Sequence, residues 1–427
     1  MGFNSGNYKP THPLVLPKIL LPILVFILAY GVVLFRNDWN YSLYAGGYTL
    51  LLSLCIWLTY RLVSSKPSLR KILAYLTFFV TSFLTVTGNI GVLTGFDRSE
   101  GSMPWLGVSF VTASLAFYIL TGRLNFKNLC LNILQPARFN SGPVSIPAKD
   151  LPGLNRARSW VYLGWIILGA FFFCVLAAKL SPFLMLRRSP YSIDILAFAF
   201  IFEIYVYFNF CGISFVVFGI LNLAGVKTIL NFNSPFSARD VIGYWQRWHI
   251  SLSTTLKELF FIPAKKHFGI AFSVFLVFMS SAMWHGMSLN FLIWGFFHAT
   301  AWLLTYLLTK KFLWPQLGRF TSMLIFPPVI VFGRLIFSET DPDFLFLKVH
   351  NLLHFQWNND SYLLNLSLDT QSIIILTISI LYIAAETLFP RRFLRYRILR
   401  NKWVLLALLS STLSFGTLGI GGIYGTR

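Results

Sequence analysis

Long apolar segments alternate with short polar or basic stretches along the whole chain. An α-helix needs about 20 predominantly apolar residues to cross the hydrocarbon core of a bilayer. The pattern therefore predicts about eleven crossings, at residues 14–35, 42–63, 72–93, 105–120, 160–180, 192–223, 270–288, 291–308, 322–337, 371–389 and 403–422.

Three of these stretches do not fit a plain crossing. Segment 192–223 is long for one helix, so a bend at Asn209 or Gly212 and a pair of shorter helices are both open. Segments 128–149 and 231–268 mix apolar residues with Pro, Trp, Arg or Lys. We predict that both are re-entrant or interfacial pieces, because irregular backbone at membrane depth must lie inside protein or along a wet cavity.

Composition supports an all-α polytopic membrane protein. Hydrophobic residues make up 56% of the chain and charged residues 11%, whereas soluble domains are nearer about 45–50% and 25%. The net charge of +21 lies in short loops, as the positive-inside rule and anionic lipid head groups favour, so we expect contact with membrane lipid and not with nucleic acid. The four cysteines are scattered, which predicts neither a disulfide framework nor a metal site.

The stretch 241–298 is the place to look for chemistry. His249, His285 and His298 lie in or beside its apolar runs. A polar, titratable ring at membrane depth is costly unless it is paired or used. His285 precedes Gly286, which permits close approach of a substrate or of another backbone. His285 is therefore either a general base or a structural residue that joins two helices by a hydrogen bond.

The residues around His249 have helical spacing. If 244–256 is one helix, its apolar face carries Trp245, Trp248, His249, Leu252, Ser253 and Leu256. That pattern is typical of an interfacial amphipathic helix and equally of a site. His298, with Trp294 and Trp302 four residues to either side, forms a stripe that indicates packing or a direct role.

Two carboxylates also stand inside apolar runs. Glu203 and Glu386 are functional candidates by their position, although Arg391 is near enough in sequence to pair with Glu386. His350 and His354 are four residues apart, but no acidic or cysteine partner stands at a recognised ligand spacing, so we expect no metal there.

Several motifs, in order, resemble the membrane-bound O-acyltransferases (MBOAT), closest to the bacterial branch of alginate O-acetyltransferase and teichoic-acid D-alanyl transferase. They are Gly142-Pro143-Val144, Phe210-Cys211-Gly212-Ile213-Ser214, Asn233-Ser234-Pro235-Phe236, Arg239-Asp240, Trp245-Gln246-Arg247-Trp248-His249-Ile250-Ser251-Leu252-Ser253, Phe261-Ile262-Pro263 and Trp284-His285-Gly286. The departures are Ile146-Pro147 for Arg-Tyr, Lys265-Lys266 for glycines, and Gly333-Arg334-Leu335-Ile336-Phe337-Ser338 for Gly-Trp-x-x-Phe-Arg.

The resemblance implies an MBOAT-like fold with a tunnel in which donor and acceptor meet. His285 would be the general base, and His249 would support the transfer by hydrogen bonding. The substrate-contacting residues would be Trp245, Arg247, Trp248, Ser253, Trp284, Asn233 and His298. One integral membrane domain, 1–427, would comprise N-terminal helices at 14–121, the catalytic core at 128–299 and C-terminal helices at 320–427.

The implied function is transfer of a short, acetyl-like group to a hydroxyl of an envelope or exported glycan at the bacterial cytoplasmic (inner) membrane. No bound cofactor is expected, and the donor would be a cytoplasmic thioester, acetyl-CoA or an acyl carrier protein. A periplasmic or extracellular acyltransferase partner is a further possibility. The alternatives are D-alanyl transfer from a carrier protein to a teichoic-acid-like polymer, and a transporter without acyl chemistry.

Overall fold

The computed structural model describes residues 39–86, 106–134, 143–146, 156–286, 288–311, 315–339, 341–357, 361–365, 370–389 and 393–417. Within these ranges every regular element is a helix. The main helices are α1 (Trp39–Val63), α2 (Pro67–Val86), α3 (Leu106–Leu120), α4 (Arg156–Phe171), α5 (Ser192–Leu223), α6 (Val241–Trp245), α7 (Ile250–Leu256), α8 (Ile262–His285), α9 (Leu289–Tyr306), α10 (Pro315–Ser338), α11 (Pro342–Leu353), α12 (Thr370–Leu388), α13 (Phe393–Arg400) and α14 (Lys402–Phe415).

Five helical runs in the described part are long and apolar enough to cross a membrane. They are Arg158–Arg188, Ser192–Leu223, Ile250–His285, Leu289–Thr309 and Thr370–Leu388. Three of them include π-helical residues: Phe172–Ala177 after α4, Lys257–Phe261 between α7 and α8, and the start of Leu307–Lys311 after α9. The predicted crossing at 14–35 lies outside the described residues. In its described part, the chain is therefore an all-helical integral membrane protein.

Helix α5 forms the centre of the structure. It runs unbroken for 32 residues, and 83% of its most apolar window is buried inside the protein. The alternative of two short helices is thus wrong. Helix α4 crosses α5 closely at Gly212, where a β-carbon would lie 2.8 Å from the Gly169 carbonyl oxygen. Small residues permit such close approach of helices in membranes.

A buried polar cluster fastens the C-terminal helices to α5. The Glu386 carboxylate on α12 accepts a 2.7 Å hydrogen bond from the Tyr207 hydroxyl on α5. Arg395 on α13 lies 3.7 Å from the same carboxylate and donates to the Phe232 carbonyl oxygen at 3.0 Å. Glu386 is therefore paired with Arg395, nine residues along the chain, whereas Arg391, the partner considered from the sequence, lies outside the described residues. This carboxylate is structural, since its partners hold three elements together.

The two segments predicted to be irregular are so in part. Of the first, residues 143–146 have no regular secondary structure, and Val144 and Ile146 are buried. In the second, a stretch without regular secondary structure leads to a 3-10 turn, Pro235–Ser237, and then to α6 and α7. Both lie against the buried part of the molecule, where their backbone groups find partners.

Candidate active site

A cavity of about 340 Å³ opens between the short helices α6 and α7 and the longer α5, α8, α9 and α10. Gln246 and Lys257 are exposed at its mouth, whereas Trp248 and His249 are buried on its inner side. Its walls are mostly apolar, and among the described lining residues the titratable or cationic side chains are Lys257, His249, His285 and Arg334. No carboxylate lines it. A ligand inside would thus meet two imidazoles and a guanidinium in largely dry surroundings.

The predicted single helix over 244–256 is wrong. The chain forms α6, a turn and then α7, and the turn centres on His249, whose backbone is left-handed at φ 46° and ψ 53°. Few residues other than glycine adopt that conformation without support. Nevertheless, all six residues expected on one face line the cavity: Trp245, Trp248, His249, Leu252, Ser253 and Leu256. The turn wraps them around the space instead of along one helix.

A neighbouring segment holds the turn in place. The Ile250 amide donates to the Asn231 carbonyl oxygen at 2.9 Å, and the Asn233 amide donates to the Arg247 carbonyl oxygen at 3.0 Å. These two backbone bonds bracket His249. They offset the strain of a left-handed histidine, which is of the order of 1–3 kcal/mol.

The Asn231 side chain fixes which nitrogen of His249 carries hydrogen. Its Oδ1 accepts from the Ser251 amide at 3.1 Å and from the Ser251 hydroxyl at 2.8 Å. An amide N–H can only donate, so the Asn231 atom at this position is oxygen. His249 Nδ1 lies 3.1 Å from the same oxygen and must therefore donate to it. His249 Nε2 then carries the lone pair, and it is buried with no protein partner.

His285 approaches the cavity from the other side. It is the last residue of α8, where Gly286 ends the helix, and it is half-buried. The Trp284 ring stands between the two histidines, with centroids 6.1 Å from the His249 ring and 4.9 Å from the His285 ring. Phe337 packs edge-on to His285 at 4.9 Å. Two imidazoles thus line one space, each held by aromatic contacts.

A buried ion pair borders the site beside these histidines. The Nε of Arg334 on α10 lies 2.5 Å from Glu203 Oε2 on α5. The Tyr244 hydroxyl donates to Glu203 Oε1 at 2.7 Å. Burial, and then the adjacent carboxylate, raises the pKa of the Tyr244 phenol above its ordinary value, so it remains a donor. The Arg334 guanidinium packs over the Trp248 ring at 5.1 Å. This triad joins three elements at the cavity wall.

Four residues predicted to contact substrate do not line the cavity. Trp284 is buried behind it, against Phe110 and both histidines. Arg247 is buried and donates to the Gly243 carbonyl oxygen. The Asn233 side chain is exposed. His298 is buried against Trp245, at a ring distance of 4.9 Å. The three buried residues, Trp284, Arg247 and His298, pack behind the cavity walls.

Two residues at the site were not singled out from sequence. Asn231 stands two positions before the Asn-Ser-Pro-Phe motif, and Arg334 was noted only as a departure from a family pattern. A buried arginine in an apolar run was the available signal for Arg334. Asn231 lies in a loop without such a signal. Among the described residues, no group of three or more His, Cys, Asp or Glu side chains could hold a metal ion.

Comparisons with known proteins agree with this architecture. The sequence model of the MBOAT, membrane-bound O-acyltransferase family, matches residues 138–331, which include α5 to α9 and both cavity histidines. A teichoic acid D-alanyltransferase of Streptococcus thermophilus is 26% identical over 258 residues, covering 52% of this chain and 62% of that protein. The corresponding Bacillus subtilis protein is 30% identical over 154 residues, 32% of this chain and 39% of its own length.

An acetylating relative matches over a shorter region. The peptidoglycan O-acetyltransferase of Helicobacter pylori is 38% identical over 100 residues, which is 22% of this chain and 19% of that protein. The chain thus spans less than two thirds of the length of each of these three relatives. The motifs, the family match and the two histidines at one cavity agree: residues 138–331 of this chain are similar to the membrane-bound O-acyltransferase family.

Proposed function

We propose that the protein transfers a short, acetyl-like group from a thioester to a hydroxyl of an envelope or exported glycan. The observation that carries this proposal is the cavity shared by His249 and His285 within the family-matched region. The relatives that acetylate peptidoglycan or D-alanylate teichoic acid support an envelope polymer as acceptor. We place the protein in the bacterial cytoplasmic membrane as one integral domain with about eleven crossings.

The reaction needs one proton acceptor and one leaving thiol. The acceptor oxygen attacks the acyl carbon, a C–O bond forms, and the C–S bond breaks to release a thiolate. His285 accepts the hydroxyl proton during the attack and returns it to the thiolate sulfur, so that no net proton is gained or lost. His249 Nε2 offers a lone pair to a substrate N–H or O–H. General-base assistance of this kind contributes about 10²–10⁴-fold to rate.

The shape of the cavity suits a slender acyl thioester. Its apolar walls exclude water from the acyl group, which limits hydrolysis. Lys257 at the mouth, with the exposed Lys265 and Lys266 nearby in the chain, would attract a phosphate-bearing donor such as acetyl-CoA or a carrier protein. We propose that this mouth faces the cytoplasm and that an extracytoplasmic partner completes delivery to the glycan.

Acyl transfer in membranes tests the proposal. Labelled acetyl-CoA or an acetylated carrier protein is supplied with envelope glycan to wild type, His285→Gln and His249→Asn at matched expression. Asparagine at 249 tolerates the left-handed backbone while removing the Nε2 lone pair. His267→Gln is the matched control, because His267 is exposed and precedes the kink at Gly269 that divides α8, away from the cavity end that carries His285.

We expect His267→Gln to match wild type and His285→Gln to lose about 10²-fold or more in rate. Equal labelling by wild type and His285→Gln would remove that histidine from the mechanism. Label moving across the membrane without covalent attachment to glycan would favour transport over acyl transfer.

A second candidate acyl group is D-alanine. It is favoured by the D-alanyltransferase relative, whose alignment covers 52% of this chain, compared with 22% for the peptidoglycan acetylating relative. Supplying D-alanyl carrier thioester and acetyl thioester to the same membranes separates the two. The donor with the higher kcat/KM identifies the group transferred.

A further inference from the structure

We propose that Asn231 is a positioning residue that holds His249 in one tautomer, with hydrogen on Nδ1 and the lone pair of Nε2 directed to the substrate. The inference rests on the proposed function in that His249 serves an acyl transfer. The assignment of the tautomer itself rests on geometry alone. The functional consequence is that the cavity presents a fixed hydrogen-bond acceptor to a substrate hydroxyl or amide N–H, beside the base His285.

The hydrogen-bond donors around Asn231 identify which atom of its side-chain amide is the oxygen. Three donors converge on it: the Ser251 amide, the Ser251 hydroxyl and His249 Nδ1, at 3.1, 2.8 and 3.1 Å. Reversal of the amide would place its NH₂ group against the Ser251 backbone N–H, which cannot accept. The opposite tautomer of His249 would likewise place two lone pairs face to face. Only the arrangement with Nδ1–H gives the Asn231 oxygen three donors without a repulsive contact.

Other segments of the protein hold the Asn231 side chain in place. Its Nδ2 donates toward the Ser214 hydroxyl on α5 at 3.4 Å. The Ser251 hydroxyl that donates to Asn231 also accepts from the Val144 amide at 2.9 Å. Asn231 therefore receives its orientation from α5, from α7 and from the segment 143–146. A side chain held by three elements can fix a tautomer more firmly than a solvent-exposed amide.

The surroundings of His249 are buried and aromatic. The His249 ring is 5% exposed and packs edge-on to Phe210 at 4.8 Å, with Phe110 at 5.9 Å. An unpartnered lone pair buried in such surroundings is costly, and His249 is one of the residues that line a cavity large enough for a ligand. A substrate donor would satisfy it. A histidine held only for packing has no need of a defined acceptor nitrogen.

The test compares Asn231→Leu, which removes the acceptor, with Asn231→Asp, which keeps it. Asn222→Leu is the matched control, since Asn222 is equally buried but bonds only the Phe218 carbonyl oxygen of its own helix in the described structure. Protein labelled with ¹⁵N-histidine is examined by NMR at mildly alkaline pH in detergent, and the His249 signals are assigned by their loss in His249→Asn. Acyl transfer is measured in parallel as kcat and KM.

In wild type we expect one His249 species with Nδ1 protonated. Asn231→Asp and Asn222→Leu should retain it, and Asn231→Leu should show mixed or inverted tautomers with a fall in kcat of about 10²-fold. A wild-type His249 protonated on Nε2 would overturn the inference without any variant, as would a loss of kcat in Asn231→Asp equal to that in Asn231→Leu. Absence of acyl transfer in wild type would refute the proposed function but leave the NMR result to decide the tautomer.

Discussion

The pair of Glu203 and Arg334 offers a stringent test of how this membrane domain is held together at its site. The two side chains are 2% and 8% exposed, and their closest atoms are 2.5 Å apart. Replacing Arg334 by methionine keeps most of the volume but leaves a buried carboxylate that still accepts a hydrogen bond from the Tyr244 hydroxyl. Breaking a buried ion pair in this way costs about 3–5 kcal/mol. Loss of the cation–π contact over Trp248 adds about 0.5–2 kcal/mol.

The double variant Glu203→Gln/Arg334→Met separates the interaction energy between the two side chains from the contribution of each side chain alone. Glutamine still accepts from Tyr244, and neither charge remains to be desolvated. Replacement of a whole buried pair is often neutral or stabilising, so the double variant should be more stable than Arg334→Met. We expect a coupling free energy of about 2 kcal/mol or more between the two sites.

The stabilities of wild type, the two single variants and the double variant are measured in detergent, by monitoring the loss of the monodisperse species on heating. Arg187→Met is the control, because the Arg187–Glu339 pair is longer at 3.4 Å, Arg187 is 22% exposed, and Lys348 still pairs with Glu339 at 2.8 Å. It should cost less than about 1 kcal/mol. If Arg334→Met matches the control, or the double variant is no better than the single one, the triad is not a stability determinant.

Three further outcomes follow from the packing. Gly212→Leu should lower the free energy of unfolding by about 3 kcal/mol or more, because even a β-carbon would approach the Gly169 carbonyl oxygen at 2.8 Å. Thermal unfolding measures this loss, and unchanged stability would contradict the close crossing of α4 and α5. Gly333→Ala should displace His298, whose imidazole occupies that space, and cost about 1–3 kcal/mol; an unperturbed His298 NMR signal would argue against the contact. Val277→Trp should narrow the cavity and raise the donor KM with little change in stability; an unchanged KM would show that donors bind elsewhere.

Apolar length was sufficient to locate most of the helices. The predicted boundaries 192–223 and 371–389 lie within about one residue of α5 and α12. Length alone decides such segments, because a bilayer requires every backbone group to be satisfied within the helix. The pattern could not show how closely α4 crosses α5, since that depends on Gly169 of another helix.

The turn at His249 illustrates what periodicity cannot predict. Residues 244–256 have the spacing of one amphipathic helix, yet the chain breaks at His249 because Asn231 and Asn233 supply backbone partners from outside the segment. The break is invisible to local propensity, since it is a tertiary effect. The six residues expected on one helical face nonetheless all line the cavity, but they do so around a turn and not along one helix.

The arrangement of the cavity separates rate from affinity. Its inner side is a set of fixed polar contacts in which Asn231 orients His249, while Glu203 holds Arg334. Its mouth is apolar and basic, ending at the exposed Lys257. Interactions stronger in the transition state than in the ground state raise kcat, whereas uniform binding lowers KM alone. Substitutions on the inner side should therefore reduce kcat, and those at the mouth should raise KM and make it salt-dependent, because exposed charges are screened. If substitutions on the inner side raised KM and those at the mouth reduced kcat, the acyl carbon would not reach the two histidines.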